Sequence, residues 1–358
     1  MVKHVKRLLR QAREAAELRG MAVCARFPYL SNIYFCIDRG FEREHHAVLV
    51  GRLRYRESMS RGHRTGHVYR LRRNIHRLEK GLISRPRREV FARDYLPGTI
   101  ASYEAFVTSL APGDEGGALL AGWSTDVLSD YFAAVAPGQS PDVDRCRETF
   151  ERLAPVARER ACGGCAKRVP YVRDRTPLTV SIDDLRALAY RRRSVRWYEQ
   201  RPVPREVIDR AVEVAGLSPS ACNRQPFEFR IFDDPEIVRR LADIPMGTRG
   251  FSHQFPVFIV VVGKLHAYPY NRDRHVIYID ASLASMALQF ALEVQGVASC
   301  SINWPDIAAK DRMMAEAIGL APDERVIMCM SAGYPDPDGL VPFSQKKSLD
   351  ELRSYNAL

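Results

Sequence analysis

From residue 181 onward, helix-period and strand-period segments take turns along the chain, and that alternation is what most limits its fold. Helical spacing of apolar residues covers 181–191, 204–217, 234–242, 279–296 and 308–319. Strand-like runs cover 227–232, 256–263, 297–302 and 325–333. The longest of them, FPVFIVVVG at 255–263, has strand length and falls far short of a membrane span. Ser181 with Asp184, just before an apolar run, resembles a capping box with Asp in place of the usual Glu or Gln, and it marks the first helix. Helices interleaved with four strands predict an α+β fold in three layers around a central mixed β-sheet.

The first 170 residues follow another pattern. VKHVKRLLRQAREAAELRG is an amphipathic basic helix ending at Gly20. HVYRLRRNIHRLEKGL at 67–82 aligns Val68, Leu71, Ile75, Leu78 and Leu82 on one stripe, and further helical patterns cover 101–110, 124–136 and 142–161. The expected organisation is a helical basic N-terminal domain over 1–165, a linker over 166–180 and a second domain over 181–358. The charge is divided in the same way. Residues 1–170 hold 30 Lys+Arg against 19 Asp+Glu, and so carry the whole net charge of +11. Such an excess suits nucleic acid, an anionic membrane or an acidic substrate. No zinc-finger spacing or interleaved aromatic pattern supports nucleic acid, and an Arg-rich solvated surface is the plainer reading. His76, Glu79 and Lys80, together on one helix, read as a charged solvent face.

Eight cysteines, at 24, 36, 146, 162, 165, 222, 300 and 329, sit mostly in apolar or helical contexts. That fits reduced thiols better than a disulfide framework and, with no secretory h-region at the start, gives a cytoplasmic expectation. Cys162 and Cys165 form a lone CxxC in a Gly-rich break, half of a zinc site at most, so no metal is expected.

Two stretches carry chemistry. Arg191-Arg192-Arg193-Ser194-Val195-Arg196 puts four guanidiniums and a hydroxyl at a helix end, an anion site by composition. SPSACNRQPF at 218–227 joins a helix to a strand, too polar for a core strand and broken by Pro219 and Pro226. By itself it is either a capped turn or a binding surface.

Together, Arg-Arg-Ser-x-Arg followed by Ser-Pro-Ser-x-x-Asn-x-Gln-Pro-aromatic resembles the nitroreductase family of FMN-dependent oxidoreductases. YIDASLASMALQFALEVQGVASCSINW resembles that family's long central helix and following strand, and AGYPDPDG and SQKKSLDEL resemble its closing turn and C-terminal motif. The resemblance covers about 181–355. It implies a homodimer with two FMN sites at its interface, each built from both chains. Arg192 and Ser194 would grip the FMN phosphate with Arg193 beside them, and Arg196 would reach the flavin pyrimidine edge. Pro219, Ser220, Ala221 and Asn223 would line the isoalloxazine of the partner's site, with Gln225 bracing the loop. Ile302, Asn303 and Trp304 would fall beside flavin N5, with Asn303 and Trp304 in place of the family's smaller residues. The Trp304 ring would then either restrict what stacks over the flavin or point into the core. Lys346 and Lys347 would close on the phosphate, and Arg249 is a further candidate at the pyrimidine edge. The implied activity is hydride transfer through flavin N5 between NAD(P)H and an unknown small-molecule acceptor. Two rivals stand beside it: a specialised flavin oxidase or dehydrogenase of a polysaccharide-linked biosynthetic pathway, and a non-catalytic basic scaffold on membrane or nucleic acid.

Overall fold

The structure, a computed structural model, describes residues 2–60, 64–161 and 167–357. Among these, the N-terminal part runs α1 (Val2–Cys24), α2 (Pro28–Asp38), α3 (Glu42–Ser60), α4 (Arg64–Leu82), α5 (Leu96–Thr108), α6 (Glu115–Ala134) and α7 (Pro141–Arg160). The expected stripe on α4 is buried: Leu71, Ile75 and Leu78 share a core with Tyr103 and Phe106 of α5, Leu128 and Tyr131 of α6, and Phe150 of α7. Several polar groups inside it are paired, while Asn74 Oδ1 and Ser124 Oγ have no partner among the described residues. The Tyr103 hydroxyl shares a 2.7 Å bond with Thr125 Oγ1, and Asn74 Nδ2 donates to Thr99 Oγ1 at 3.0 Å. Glu79 accepts from Trp123 Nε1 at 2.9 Å and lies 3.4 Å from His76 Nδ1, so this charged face also ties α4 to α6. The CxxC of Cys162 and Cys165 lies outside the described residues.

Residues 167–180 form neither helix nor strand. Then follow α8 (Ile182–Arg191), α9 (Arg205–Gly216), β1 (Phe227–Phe232), α10 (Pro235–Ala242), β2 (Val257–Lys264), α11 (Val276–Val294), β3 (Ala298–Asn303), α12 (Ala308–Ile318), β4 (Glu324–Gly333) and the single turn α13 (Leu349–Leu352). The capping box at Ser181 and Asp184 is formed in both directions.

The sheet order is β1-β2-β4-β3 and every pairing is antiparallel. This corrects the mixed sheet expected from the sequence. Helices between strands read as parallel crossovers, but α10 returns the chain beside β1 in the opposite direction, and α12 does the same for β3 and β4. Among the described residues a parallel pairing survives only as the isolated bridge between Ser194 and Ser299. The three layers are as expected. Val257, Ile259 and Val261 of β2 face α9 and α11, while Phe258, Val260 and Val262 face the side of α10 and α12. Burial on both faces explains why β2 is a continuous apolar run instead of an alternating one. By length and composition α11 could cross a membrane, yet Ile277, Ala281, Ala284, Leu288 and Leu292 pack into the core beneath the sheet.

The N-terminal helices are not separate from this layered unit. Ala47 of α3 joins the core under α11, and Val48 and Tyr69 pack against it. At Gly51 a Cβ would meet Leu265 Cβ at 2.8 Å, so only glycine allows α3 this close. The fully buried Asp323 takes His266 Nδ1 at 2.6 Å on one oxygen and pairs with Arg54 of α3 through the other. Arg43 of α3 likewise reaches Asp311 on α12 at 3.3 Å.

Candidate active site

The Arg-rich stretch begins where α8 ends. The Arg192 N–H closes the helix on the Leu188 carbonyl at 2.9 Å, and Arg191 Nε bonds Glu293 Oε1 at 3.1 Å, near the C-terminal end of α11. The chain then runs beside β3: the Val195 N–H donates to the Ser299 carbonyl at 3.2 Å. Tyr198 fixes this path from below, donating to the Val195 carbonyl at 2.7 Å with Ser331 Oγ at 2.8 Å. Burial pushes the Tyr198 hydroxyl far above its ordinary value, so it stays a neutral donor. Arg196 donates to the Ser194 carbonyl at 3.2 Å, and its guanidinium lies 5.5 Å from the Phe251 ring centre. Arg193 turns aside, over the ring of Tyr190 at 4.5 Å.

Arg192, Ser194 and Arg196 converge on one place. Burial raises the Cys300 thiol there, and the nearby Arg196, Ser194 and Arg192 work against that rise. Among the described residues, Arg192 Nε is buried here without a partner, and so is Ser299 Oγ, which the alternation of β3 turns to the sheet face opposite Cys300. A buried donor left unsatisfied costs about 1–3 kcal/mol. An oxyanion such as a phosphate ester would satisfy Arg192 Nε, so Arg192 with Ser194 and Arg196 fits the FMN phosphate that the resemblance implies.

The second half of the site is the loop after α9. Ser220 Oγ accepts the Gln225 N–H at 3.1 Å, and Gln225 Nε2 donates to the Gly216 carbonyl at 3.0 Å, the bracing role expected of Gln225. The Ala221 N–H donates to Asp280 Oδ2 at 3.0 Å, in the first half of α11. Burial raises the Asp280 carboxyl, opposed by that N–H and by Arg224. Cys222, Asn223 and Gln225 all have positive φ, at 55°, 52° and 50°. Left-handed non-glycine residues cost about 1–3 kcal/mol each and cluster where function demands a particular shape.

These halves do not meet within one chain. Asp280 anchors the loop and Glu293 anchors the arginines, thirteen residues apart on α11, or about 20 Å along a straight helix. Between and beyond them Ile279, Leu283, Met286 and Val294 line up on the outer face of α11, exposed at 57%, 46%, 37% and 72%. Ile182, Leu185 and Tyr190 of α8 are exposed too.

The remaining expected residues are spread more widely. Ile302 is buried in the core on the α12 side, and Asn303 is exposed at the end of β3. The Trp304 indole packs against that core and donates from Nε1 to Asp311 Oδ1 at 2.8 Å. Of the two positions expected for this ring, it takes the inward one. Lys346 and Lys347 are exposed on the C-terminal tail, and Leu340 and Phe343 of the same tail are exposed as well. Arg249 is exposed in a turn bounded by Gly247 and Gly250, two residues from Phe251. Asp280 and Ser299 were not anticipated. The signal for Asp280 is visible afterwards: one acid inside an apolar helix is rarely buried without a task.

The family model described as the nitroreductase family matches residues 189–249 and 245–334. The C-terminal half is a nitroreductase-family domain. No family model matches the N-terminal helices. Iodotyrosine deiodinase 1 of Rattus norvegicus is 25% identical over 193 residues, which is 46% of this chain and 67% of the deiodinase. A protein of Archaeoglobus fulgidus named for NADH dehydrogenase or NAD(P)H nitroreductase activity is 25% identical over 155 residues, 43% of this chain and 87% of the relative. Among solved structures, an FMN-dependent nitroreductase of Clostridium difficile R20291 matches at 23% identity and a TM-score of 0.41, covering 48% of this chain and 98% of its own.

Proposed function

We propose that this nitroreductase-family protein is an FMN-dependent oxidoreductase that works as a homodimer, with each flavin held between the arginine stretch of one protomer and the 219–225 loop of the other. The observation that carries the reading is the pair of half-sites at opposite ends of α11. Two α11 helices packed antiparallel about a two-fold axis bring the Asp280 end of one against the Glu293 end of the other. The same packing covers the exposed apolar stripe, which is otherwise unexplained in a helix so apolar.

When bound, FMN supplies hydride acceptance and donation at N5. The chain's own residues hold and bias it. Arg192 and Ser194 offer charge-assisted and neutral donors to the phosphate, with Arg193 at the rim. Arg196 keeps a fixed positive charge because guanidinium does not deprotonate, and a fixed cation favours the anionic reduced form. Pro219, Ser220, Ala221 and Asn223 of the partner loop exclude water from the ring face. Ile302 and Asn303 close the site at the end of β3, with the Trp304 ring held out of the way by Asp311. Lys346 and Lys347 reach the phosphate only if the tail folds over.

The relatives' names divide between deiodination and NAD(P)H-linked nitroreduction, so NAD(P)H is the proposed donor and the acceptor is set by experiment. The test is direct. Purified protein should be yellow, release FMN on denaturation, run as a dimer, and bleach anaerobically with NADH or NADPH. Colourless monomer that takes up no added FMN contradicts the reading and favours a non-catalytic scaffold.

A further inference from the structure

The first helix has no face inside the molecule. From His4 to Val23 every residue of α1 is exposed, although its sequence is not that of a helix made for water on all sides. Val5, Leu8, Leu9, Ala12 and Ala16 follow the i, i+3, i+4 spacing and form one apolar stripe. Leu8 and Leu9 are 50% and 66% exposed, so nothing among the described residues covers that stripe. Lys6, Arg7, Arg10 and Arg13 occupy the other side, and residues 1–26 hold seven Lys and Arg against two Glu. Of these charges, Arg10 pairs with Glu14 at 2.8 Å. The next stretch, 27–37, carries no charge and is rich in aromatic residues. Its helix α2 turns Tyr29, Ile33 and Ile37 outward along one line, with Ile37 78% exposed. Phe35, off this line, packs edge-on against Phe41 with ring centres 4.6 Å apart, and so ties α2 to the start of α3.

An amphipathic helix holds together in a protein chiefly by burying its apolar stripe, so a 23-residue helix with a bare stripe calls for a cover. Three covers differ in chemistry. A second copy of α1 would bring two strongly basic surfaces together, and their like charges oppose that contact. A nucleic-acid backbone would meet the cations but has no use for the leucines or for the uncharged aromatic run. The interface of an anionic bilayer serves both faces: acyl chains take the stripe, and lipid headgroups take the flanking lysines and arginines. Tyr29 suits the headgroup level, with an apolar ring and a polar tip. The many charges of α1 keep it on a bilayer and out of the hydrocarbon centre. We propose that α1 and α2 form a docking surface for an anionic phospholipid membrane, with α1 lying along the headgroup plane. This assignment goes beyond the flavin reading and does not rest on it, because neither α11 nor the arginine stretch enters it. Through Phe41, α3 and its contacts with the layered unit, the surface then holds the nitroreductase-family domain at the membrane.

The experiment sediments the full-length protein with vesicles of phosphatidylcholine alone, or of phosphatidylcholine and phosphatidylglycerol at about three to one. Wild type should bind the anionic vesicles about tenfold or more tightly than the neutral ones. Most of that preference should vanish between about 0.1 M and about 1 M salt, where the screening length falls from about 10 Å to about 3 Å. Leu8→Glu/Leu9→Glu should weaken binding about tenfold or more, with the urea denaturation of the chain unchanged because both side chains are exposed. Leu9→Trp adds a reporter, and its emission should shift to the blue on the anionic vesicles beyond any change in wild type. Wild type that stays in solution with both vesicles overturns the proposal. Binding that is unchanged in Leu8→Glu/Leu9→Glu also overturns it, since charge alone would then account for the attraction. Retardation of a DNA duplex without vesicle binding assigns the cations to nucleic acid. A particle mass that falls in Leu8→Glu/Leu9→Glu with no lipid present assigns the stripe to a second copy. Either of these results overturns the lipid assignment.

Discussion

Asp280 and Glu293 sit on the same helix and hold different halves of the candidate site. Asp280 accepts the Ala221 N–H at 3.0 Å, and Glu293 accepts Arg191 Nε at 3.1 Å. A rigid helix keeps the two halves about 20 Å apart in any one chain. Every expectation about cofactor and assembly follows from how that gap is closed.

The phosphate end is the simplest to probe. Arg192→Ala removes a charge-assisted contact of roughly 1.5–3 kcal/mol, so FMN affinity should fall by about one to two decades. Riboflavin, which lacks the phosphate, should bind almost as before. Equal losses for both ligands in a fluorescence titration would place Arg192 elsewhere than at the phosphate.

In the proposed dimer, assembly depends on the outer stripe of α11. Leu283→Asp replaces two buried side chains per dimer, one from each protomer, each contributing about 1.5–3 kcal/mol. The dimer dissociation constant should rise by about two decades or more, and flavin should be lost with the dimer. Light scattering and flavin absorbance read both effects. A flavin-loaded monomer would show that one chain suffices.

Trp304 is held by Asp311 and by the core, and on the proposed reading it does not cover the ring face. Trp304→Ala should open a cavity and cost about 3–5 kcal/mol in urea denaturation, with no faster bleaching by NAD(P)H. Bleaching that speeds up in the variant would mean that the indole does restrict the pocket.

Docking of α3 should be sensitive to acid through Asp323. Burial alone would raise this carboxyl, but His266 and Arg54 outweigh burial and hold it below its ordinary value. A depressed carboxyl contributes stability fully above the unfolded value of about 3.9, and loses it as pH falls through the folded value. Stability from this group should therefore be flat from pH 7 to about 5 and decline below about 4. Asp323→Ala should cost toward the lower end of about 3–5 kcal/mol, since Arg54 keeps contact with water, and should flatten the acid decline. An unchanged decline in the variant would assign it to other carboxyls.

Much of this was legible in the sequence, for physical reasons. The periods of α9 and β2 come from one-sided and two-sided burial, and both effects are local. Arg192, Ser194 and the 218–227 loop stand out in the sequence because a phosphate and a ring face would demand such residue types, and their binding role is part of the proposal. Strand direction was not, since the period of a strand is the same in either sense. The helix α3 escaped because its faces serve different neighbours: Ala47, Gly51 and Tyr55 turn inward while Leu49 and Leu53 are exposed, so no single stripe stands out. The place of Trp304 depends on Asp311, and that of Asp280 on the loop nearly sixty residues earlier; spacing along a chain does not reveal such contacts.

Mixed dimers test the shared site most directly. Arg192→Ala weakens the arginine half and Ala221→Trp blocks the loop half, so with free FMN held near the wild-type dissociation constant each homodimer should be largely empty of flavin. Differently tagged chains, co-expressed and purified through both tags, give a heterodimer carrying one of each change. If each site draws on both protomers, the two lesions fall in one site and leave the other whole. The heterodimer should then hold about half the FMN of the wild-type dimer under the same conditions and bleach with NAD(P)H at about half the wild-type rate per dimer. A heterodimer as empty as the homodimers would place both halves of each site in a single chain and contradict the arrangement along α11.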